Sequence, residues 1–397
     1  MFDWKIRKST LDIALLCVSF YELSIMPHSV FLGIKYAIIL YLILSYMKEC
    51  IYMKNIIFSL LLYGGITFIS TVVHQALFNR QVAAFVYVFH LIAIYITIES
   101  FIKKRGIRDL IKCLILIFSI FLISSDVLML VINYNFSDPS ESYLIGSKFT
   151  ISYLHCFVAA LIFFESNNEN RRLKESVSKS QIYYRIFKIV YLVFSILICI
   201  RITCTTGVLI CIFFGCLMYF PIPQWAKELL SKSKTIIIIT LVINILILGS
   251  FSLLTNPYVS NFITNVLRKS YTWIGRIHIY EMIMGVIKKH PFIGYGYFSD
   301  IIEEILSFGN AQNGVLKILI DSGWIGLVGY VSLVVASLRN YKNSSKNIWT
   351  LIVFIYCMIL ASIAEINLTD YLCFLALSIV FSSQKDKKIK KCEKMLL

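Results

Sequence analysis

Charge is scarce in this sequence. Only 15% of its 397 residues are Asp, Glu, Lys or Arg, against about a quarter in soluble domains. Such a chain cannot dress a water-facing surface, which excludes a soluble globular fold and a charged disordered tract. Acidic residues are the rarer kind, 22 against 38 Lys and Arg, leaving a formal charge of +16. Metal-type cysteine spacing is also missing. Eleven cysteines are present, most inside apolar runs, and no two form a C-x-x-C pair. Neither a zinc site nor a disulfide framework is indicated. No pair of carboxylates has a spacing that demands a metal. The first apolar run is not expected to be a cleaved leader either: it contains Glu22, and no small-residue cleavage site follows it.

What is present is apolar. Hydrophobic residues make up 58% of the chain and the mean hydropathy is +0.79. A hydrocarbon core about 30 Å thick needs roughly twenty apolar residues per helix. Twelve runs qualify or come close: 11–27, 29–47, 55–73, 82–99, 110–133, 149–165, 186–202, 206–222, 235–254, 315–338, 348–365 and 369–383. The expected fold is an all-α polytopic membrane protein of about twelve transmembrane helices, a single membrane domain over 1–397. With the N-terminus inside, 28 of the 38 basic residues fall in cytoplasmic segments, including a basic tail over 384–397. Outer segments before Thr255 hold only Arg80, Lys148 and Arg201. This asymmetry predicts cytoplasmic termini at both ends. It also accounts for the net charge without nucleic acid.

One segment departs from the rhythm. Residues 255–314 form a large outer-face loop carrying Arg268, Lys269, Arg276, Lys288 and Lys289. Within it, Arg276–Lys289 sets His278, Glu281, Gly285 and Lys288 on one helical face and Ile279, Met282, Ile283, Val286 and Ile287 on the other. That pattern predicts an amphipathic helix at the membrane interface. His290-Pro291 ends it. Gly294-Tyr295-Gly296-Tyr297 reads as a turn with a close backbone approach. A second short helix is expected at 301–307, and Asp321-Ser322-Gly323 breaks the apolar stretch that follows.

These residues resemble a family. Gly275-Arg276, the run His290-Pro291-Phe292-Ile293-Gly294-Tyr295-Gly296, and Asn313 with Gly323 and Gly326 are similar to the O-antigen polymerase and ligase family (Wzy and WaaL), with a GT-C-like fold. Gly146-Ser147-Lys148-Phe149-Thr150, with Ser152, Tyr153 and His155, resembles Gram-positive capsule polymerases, as does Thr205-Thr206-Gly207. The resemblance implies a multi-spanning glycosyltransferase of the bacterial cytoplasmic (inner) membrane, working on its outer face. It implies a polymerase of capsule or O-antigen repeat units with an undecaprenyl-diphosphate-linked oligosaccharide as substrate. Cofactor and metal are not needed, and a flippase and a chain-length regulator are the implied partners.

Such a reaction develops negative charge on a diphosphate at the edge of the lipid. Arginine suits it, because its planar fork binds phosphate oxygens bidentately and stays charged. Arg276 is the first candidate and Arg201 the second, although Arg276 could instead anchor its helix and Arg201 could snorkel to the interface. Lys148, Lys288 and Lys289 are candidates for substrate or lipid headgroups, with His155, His290 and Asn313 as further binding candidates. Where ligase-type relatives carry histidine, this chain has Gln312, which can orient a hydroxyl but cannot hold its proton. That leaves Glu281 and His278 as possible bases, or structural polar groups. The rival reading is a polysaccharide flippase or major-facilitator-type transporter. Against it, the halves show no repeat, the glycine- and arginine-rich carrier motif is absent, and the distinctive residues collect at one surface rather than at the midplane.

Overall fold

The structure is a computed structural model describing residues 8–75, 77–132, 143–172, 179–249, 270–306, 311–339 and 348–396. Its regular secondary structure among those residues is helical, apart from an isolated bridge between Tyr143 and Gly146. The helices are α1 (Lys8–Val18), α2 (His28–Tyr52), α3 (Lys54–His74), α4 (Phe78–Arg105), α5 (Ile107–Ile132), α6 (Lys148–Arg172), α7 (Lys179–Arg201) and α8 (Thr205–Tyr219). After them come α9 (Gln224–Leu230), α10 (Ser233–Gly249), α11 (Ser270–Lys289), α12 (Ile301–Leu306), α13 (Gly314–Leu338), α14 (Trp349–Ala361) and α15 (Tyr371–Leu396).

Each of the twelve apolar runs overlaps one of these helices, although α1 ends at Val18, well short of the end of the first run, and 250–254 of the ninth run lie outside the described residues. Among the described residues, seven helices can cross a membrane by length and composition, namely α2 to α7 and α13. An eighth is added if α9 and α10, bent by 71°, are taken together, and α8, α14 and the apolar part of α15 are shorter. The protein is a polytopic membrane protein. The last helix also runs beyond the predicted end at residue 383, through most of the basic tail.

Apolar faces sort these helices by depth. In α6 and α4 most of the spanning window is buried, whereas α2, α5 and α7 expose long aliphatic rows. Leu40 and Leu44 of α2, Ile120, Ile123 and Val127 of α5, and Val190, Val193 and Leu197 of α7 all lie on that outer surface. In water such a surface would aggregate, so its natural solvent is lipid. Between α3 and α13 the backbones nearly touch. A Cβ on Gly329 would lie 2.7 Å from the Tyr63 nitrogen, which is how small residues let membrane helices pack closely.

Local chemistry sets the ends. Gly106, at φ +83°, closes α4, and its N–H reaches the Ile102 carbonyl at 2.8 Å. At the other end of α7, Thr203 takes φ +53°; its N–H bonds Ile200 at 3.0 Å and that of Cys204 bonds Cys199 at 2.9 Å. This pair of bonds is a Schellman turn, and it sets α8 beside α7 within three residues. Gly207 then lies so near Ser152 that a Cβ would meet its hydroxyl at 2.4 Å. The Thr205-Thr206-Gly207 run thus has a packing role at the α6–α7–α8 junction.

A broken helix and the cavity beside it as candidate functional site

Helix α13 is two helices run together. At Gly323 the backbone takes φ +62° and ψ −164°, a region open essentially to glycine alone. A break inside a span strands carbonyls at the end of the first half and N–H groups at the start of the second. In this protein the 291–296 loop satisfies them. Tyr295 N–H donates to Ile320 O at 2.6 Å and Gly296 N–H to Asp321 O at 3.0 Å. In return, Trp324 and Ile325 donate to Pro291 O and Phe292 O at 2.8 and 3.1 Å. Contact this close needs bare backbone on both sides. A Cβ on Gly294, itself at φ +70°, would lie 2.3 Å from Ile320 O, and one on Gly323 would lie 2.3 Å from Phe292 O.

The other side of the loop is tied to α3. Tyr297 N–H donates to Thr71 Oγ1 at 2.8 Å, and Gln75 Nε2 reaches Tyr297 O at 3.0 Å. His290 is exposed, with its ring 4.6 Å from His74 and 4.7 Å from Tyr295. Arg80 pairs with Asp300 at 2.5 Å and also bonds the Phe298 carbonyl. Lys317 and Asp321 form a second ion pair at 2.7 Å, just ahead of the break.

Helix α11 forms the outer wall of this unit. Ile279, Ile283, Val286 and Ile287 are buried, as the amphipathic pattern requires. Their cover is protein rather than lipid, however: this face packs on Ile302, Ala311, Leu316, Leu319 and Ile320. Each such isoleucine stabilises the docked helix by about 1.5–3 kcal/mol. Lys288 and Lys289 are exposed in its last turn, where cations favour the helix dipole. Arg276, His278 and Glu281 lie along α11, and their side chains fall outside the described residues. Tyr280 is the contact that sequence reasoning missed. Its hydroxyl is shared between the carbonyls of Gln312 at 2.9 Å and Ile363 at 2.8 Å. Nothing in the periodicity distinguishes it from the other apolar-face residues.

Gln312 adopts φ +47° just ahead of α13. Asn313 is fully buried and caps the helix, its Oδ1 accepting from Val315 and Leu316 N–H, both at 3.0 Å. Its amide donates to Asn244 Oδ1 on α10 at 2.9 Å, so both ends of this side chain are occupied. His155 lies inside the α5–α6–α7 packing with no exposed surface. Asp126 is 3.4 Å away, as is the Tyr191 hydroxyl. Arg201 ends α7 on an exposed surface. Half-buried Lys148 opens α6, 5.7 Å from the Phe149 ring centroid.

Beside Tyr297 opens a cavity of about 500 Å³. Its walls carry Phe20, Tyr21, Tyr87, Tyr153 and Tyr371, and its edge carries Glu365 and Asp370 from the α14–α15 connection. Those two carboxylates sit where the twelve-run reading expected the eleventh span to end and the twelfth to begin. The helix instead stops at Ala361, and a 3-10 turn over Asn367–Thr369 delivers Asp370 to the cavity before α15 starts. Burial among apolar groups pushes the Asp370 carboxyl up to about 6, against the opposing pull of the Leu372 N–H.

Residues 190–331 match the family described as O-antigen ligase. Over that stretch the chain is similar to this family. The match spans about a third of the sequence, from within α7 to within the second half of α13, and so contains Arg201, α11, the 291–296 loop and the break at Gly323. No curated protein matches the chain. The Gly323 and Gly294 positions, read first as family resemblance, have a physical cause here: they let a loop and a broken helix complete each other.

Proposed function

We propose that this protein is a repeat-unit polymerase of capsule or O-antigen type. It transfers a growing glycan from undecaprenyl diphosphate to the non-reducing end of a new lipid-linked repeat, on the outer face of the bacterial cytoplasmic membrane. The observation carrying this reading is the cavity of about 500 Å³ beside the 291–297 loop, walled by aromatic rings and edged by Asp370 and Glu365. Aromatic faces suit the C–H faces of sugars, and carboxylates suit their hydroxyls; together they form a concave site with few, placed polar groups. The charge asymmetry of the loops supports twelve spans with both termini inside, and residues 255–314 as the outer segment. In this reading Arg276 and Arg201 hold the departing diphosphate, with Lys148, Lys288 and Lys289 near lipid headgroups. Polymerase is favoured over ligase because Gln312 stands where ligase-type relatives carry histidine.

The test is a deletion strain complemented with wild type, Arg276→Ala or Arg201→Ala, followed by glycan ladder analysis. Loss of one preorganised donor to the developing charge lowers rate about a hundred- to a thousandfold, so single repeats should replace the ladder. Normal chain length in either variant removes that arginine from the site. Lipid-linked repeats retained on the inner face would favour a flippase instead.

A further inference from the structure

Gln312 cannot hold the acceptor's proton, and the side chains of Glu281 and His278 fall outside the described residues. We infer that Asp370 takes the proton from the acceptor hydroxyl. The inference rests on the glycosyl-transfer reading above and goes beyond it in assigning the base.

The geometry separates Asp370 from several other buried or paired carboxylates. Asp321 is held by Lys317 at 2.7 Å, Glu165 by Arg108 at 2.7 Å, Asp300 by Arg80 at 2.5 Å, and Asp126 faces His155 at 3.4 Å. Asp370 has no cation within ion-pair distance among the described residues. One oxygen, Oδ1, accepts from Leu372 N–H at 2.8 Å, which fixes the carboxylate plane. The second has no hydrogen-bond partner among the described residues, and the residue lines the cavity. Its neighbour Tyr371 is clamped from three sides: stacked on Phe20 at 5.4 Å, 4.2 Å from the His90 ring, and bonded by Lys35 Nζ at 3.2 Å. This gives Lys35, a cation inside a span, a task in holding the cavity floor.

The groups around Asp370 set what its titration reports. Tyr21 follows α1, Lys35 comes from α2, and Tyr87 and His90 come from α4. Tyr153 faces it from α6 and Tyr297 from the loop, while Glu365 and Cys373 lie on its own segment. Apolar and phenolic surroundings hold the carboxyl at about 6, so at neutral pH it is ionised yet far more basic than a free aspartate. That is the range a general base needs. The step balances simply. The acceptor O–H bond breaks and its proton goes to Asp370. The oxygen bonds the anomeric carbon, and the carbon–oxygen bond to the diphosphate breaks with its electron pair leaving on the lipid diphosphate. Water later removes the proton.

The experiment uses the full chain in proteoliposomes, with lipid-linked repeats extracted from the strain lacking it as probe. Wild-type kcat/KM should fall below about pH 6 with unit slope. Asp370→Asn should lose about a hundredfold or more in kcat with KM little changed, and should lack the acid limb. Asp370→Glu should turn over with the limb retained, and Glu365→Gln should also keep it. An acid limb persisting in Asp370→Asn, or a kcat near wild type, overturns the assignment. If Asp370→Asn does not accumulate in membranes, an Asp370→Glu protein that turns over without an acid limb overturns it equally. A wild-type protein forming no polymer from the lipid-linked repeat instead overturns the polymerase reading, and the assignment with it.

Discussion

Replacing Gly323 with alanine tests the junction between the loop and the broken helix. Two costs combine. The backbone at φ +62° and ψ −164° charges a non-glycine residue about 1–3 kcal/mol. In addition the new methyl would overlap the Phe292 carbonyl, 2.3 Å away, and the Ile293 nitrogen, 2.6 Å away. Both neighbours are backbone, so neither can rotate aside, and the loop must lift. Lifting it endangers the four hydrogen bonds at Ile320, Asp321, Pro291 and Phe292, each contributing about 0.5–1.5 kcal/mol net. The expected destabilisation is therefore about 2–6 kcal/mol if half of those bonds are lost and about 3–9 kcal/mol if all are. Gly294→Ala attacks the same junction from the loop side, with Ile320 O at 2.3 Å, so the double variant should cost clearly less than the two singles added. Gly285→Ala on α11 meets nothing within 4 Å and serves as the control. Thermal unfolding of the purified protein in detergent, read beside glycan ladder length in complemented cells, checks both levels. A Gly323→Ala protein that melts with the Gly285→Ala control and makes a normal ladder would refute the reasoning. Strict additivity of Gly294→Ala and Gly323→Ala would show that the loop and the break are independent.

Two further outcomes follow from the same geometry. Asn313→Ala removes a helix cap worth about 1 kcal/mol and strips the buried Asn244 oxygen of its donor, about 1–3 kcal/mol more; a melting temperature equal to wild type would show that neither bond matters. Arg80→Ala breaks a half-exposed pair with Asp300, so its stability change should stay within about 1 kcal/mol and shrink in high salt. A larger, salt-insensitive loss in denaturant titration would show instead that the Phe298 carbonyl contact latches the loop.

The membrane character of the chain and the positions of its helices are local properties. Hydropathy over twenty residues is enough to demand a helix in lipid, because an unpaired backbone group there costs several kcal/mol. The amphipathic pattern of 276–289 and the break at Asp321-Ser322-Gly323 are equally local, and both are legible as printed letters. Even so, the pattern of α11 could say only that one face is apolar. Whether lipid or protein covers it depends on Leu316, Leu319 and Ile320, which belong to another helix. The same limit applied to Gln312: the sequence exposed a missing base and offered Glu281 and His278 in its place, with nothing in it to single out Asp370.

Tertiary structure decided the rest. A loop that bonds into a helix break is held by backbone atoms, which carry no side-chain signature, so Gly294 and Gly323 looked alike whether they served packing or substrate. Asp370 reads in the chain as the first polar residue of a span. Its chemistry comes from α1, α4, α6 and the 297 loop, which converge on it from distant parts of the sequence. Composition tells how many apolar side chains must be hidden from water. Only their packing determines which carboxylate, among the described residues, lines a cavity with no cation beside it.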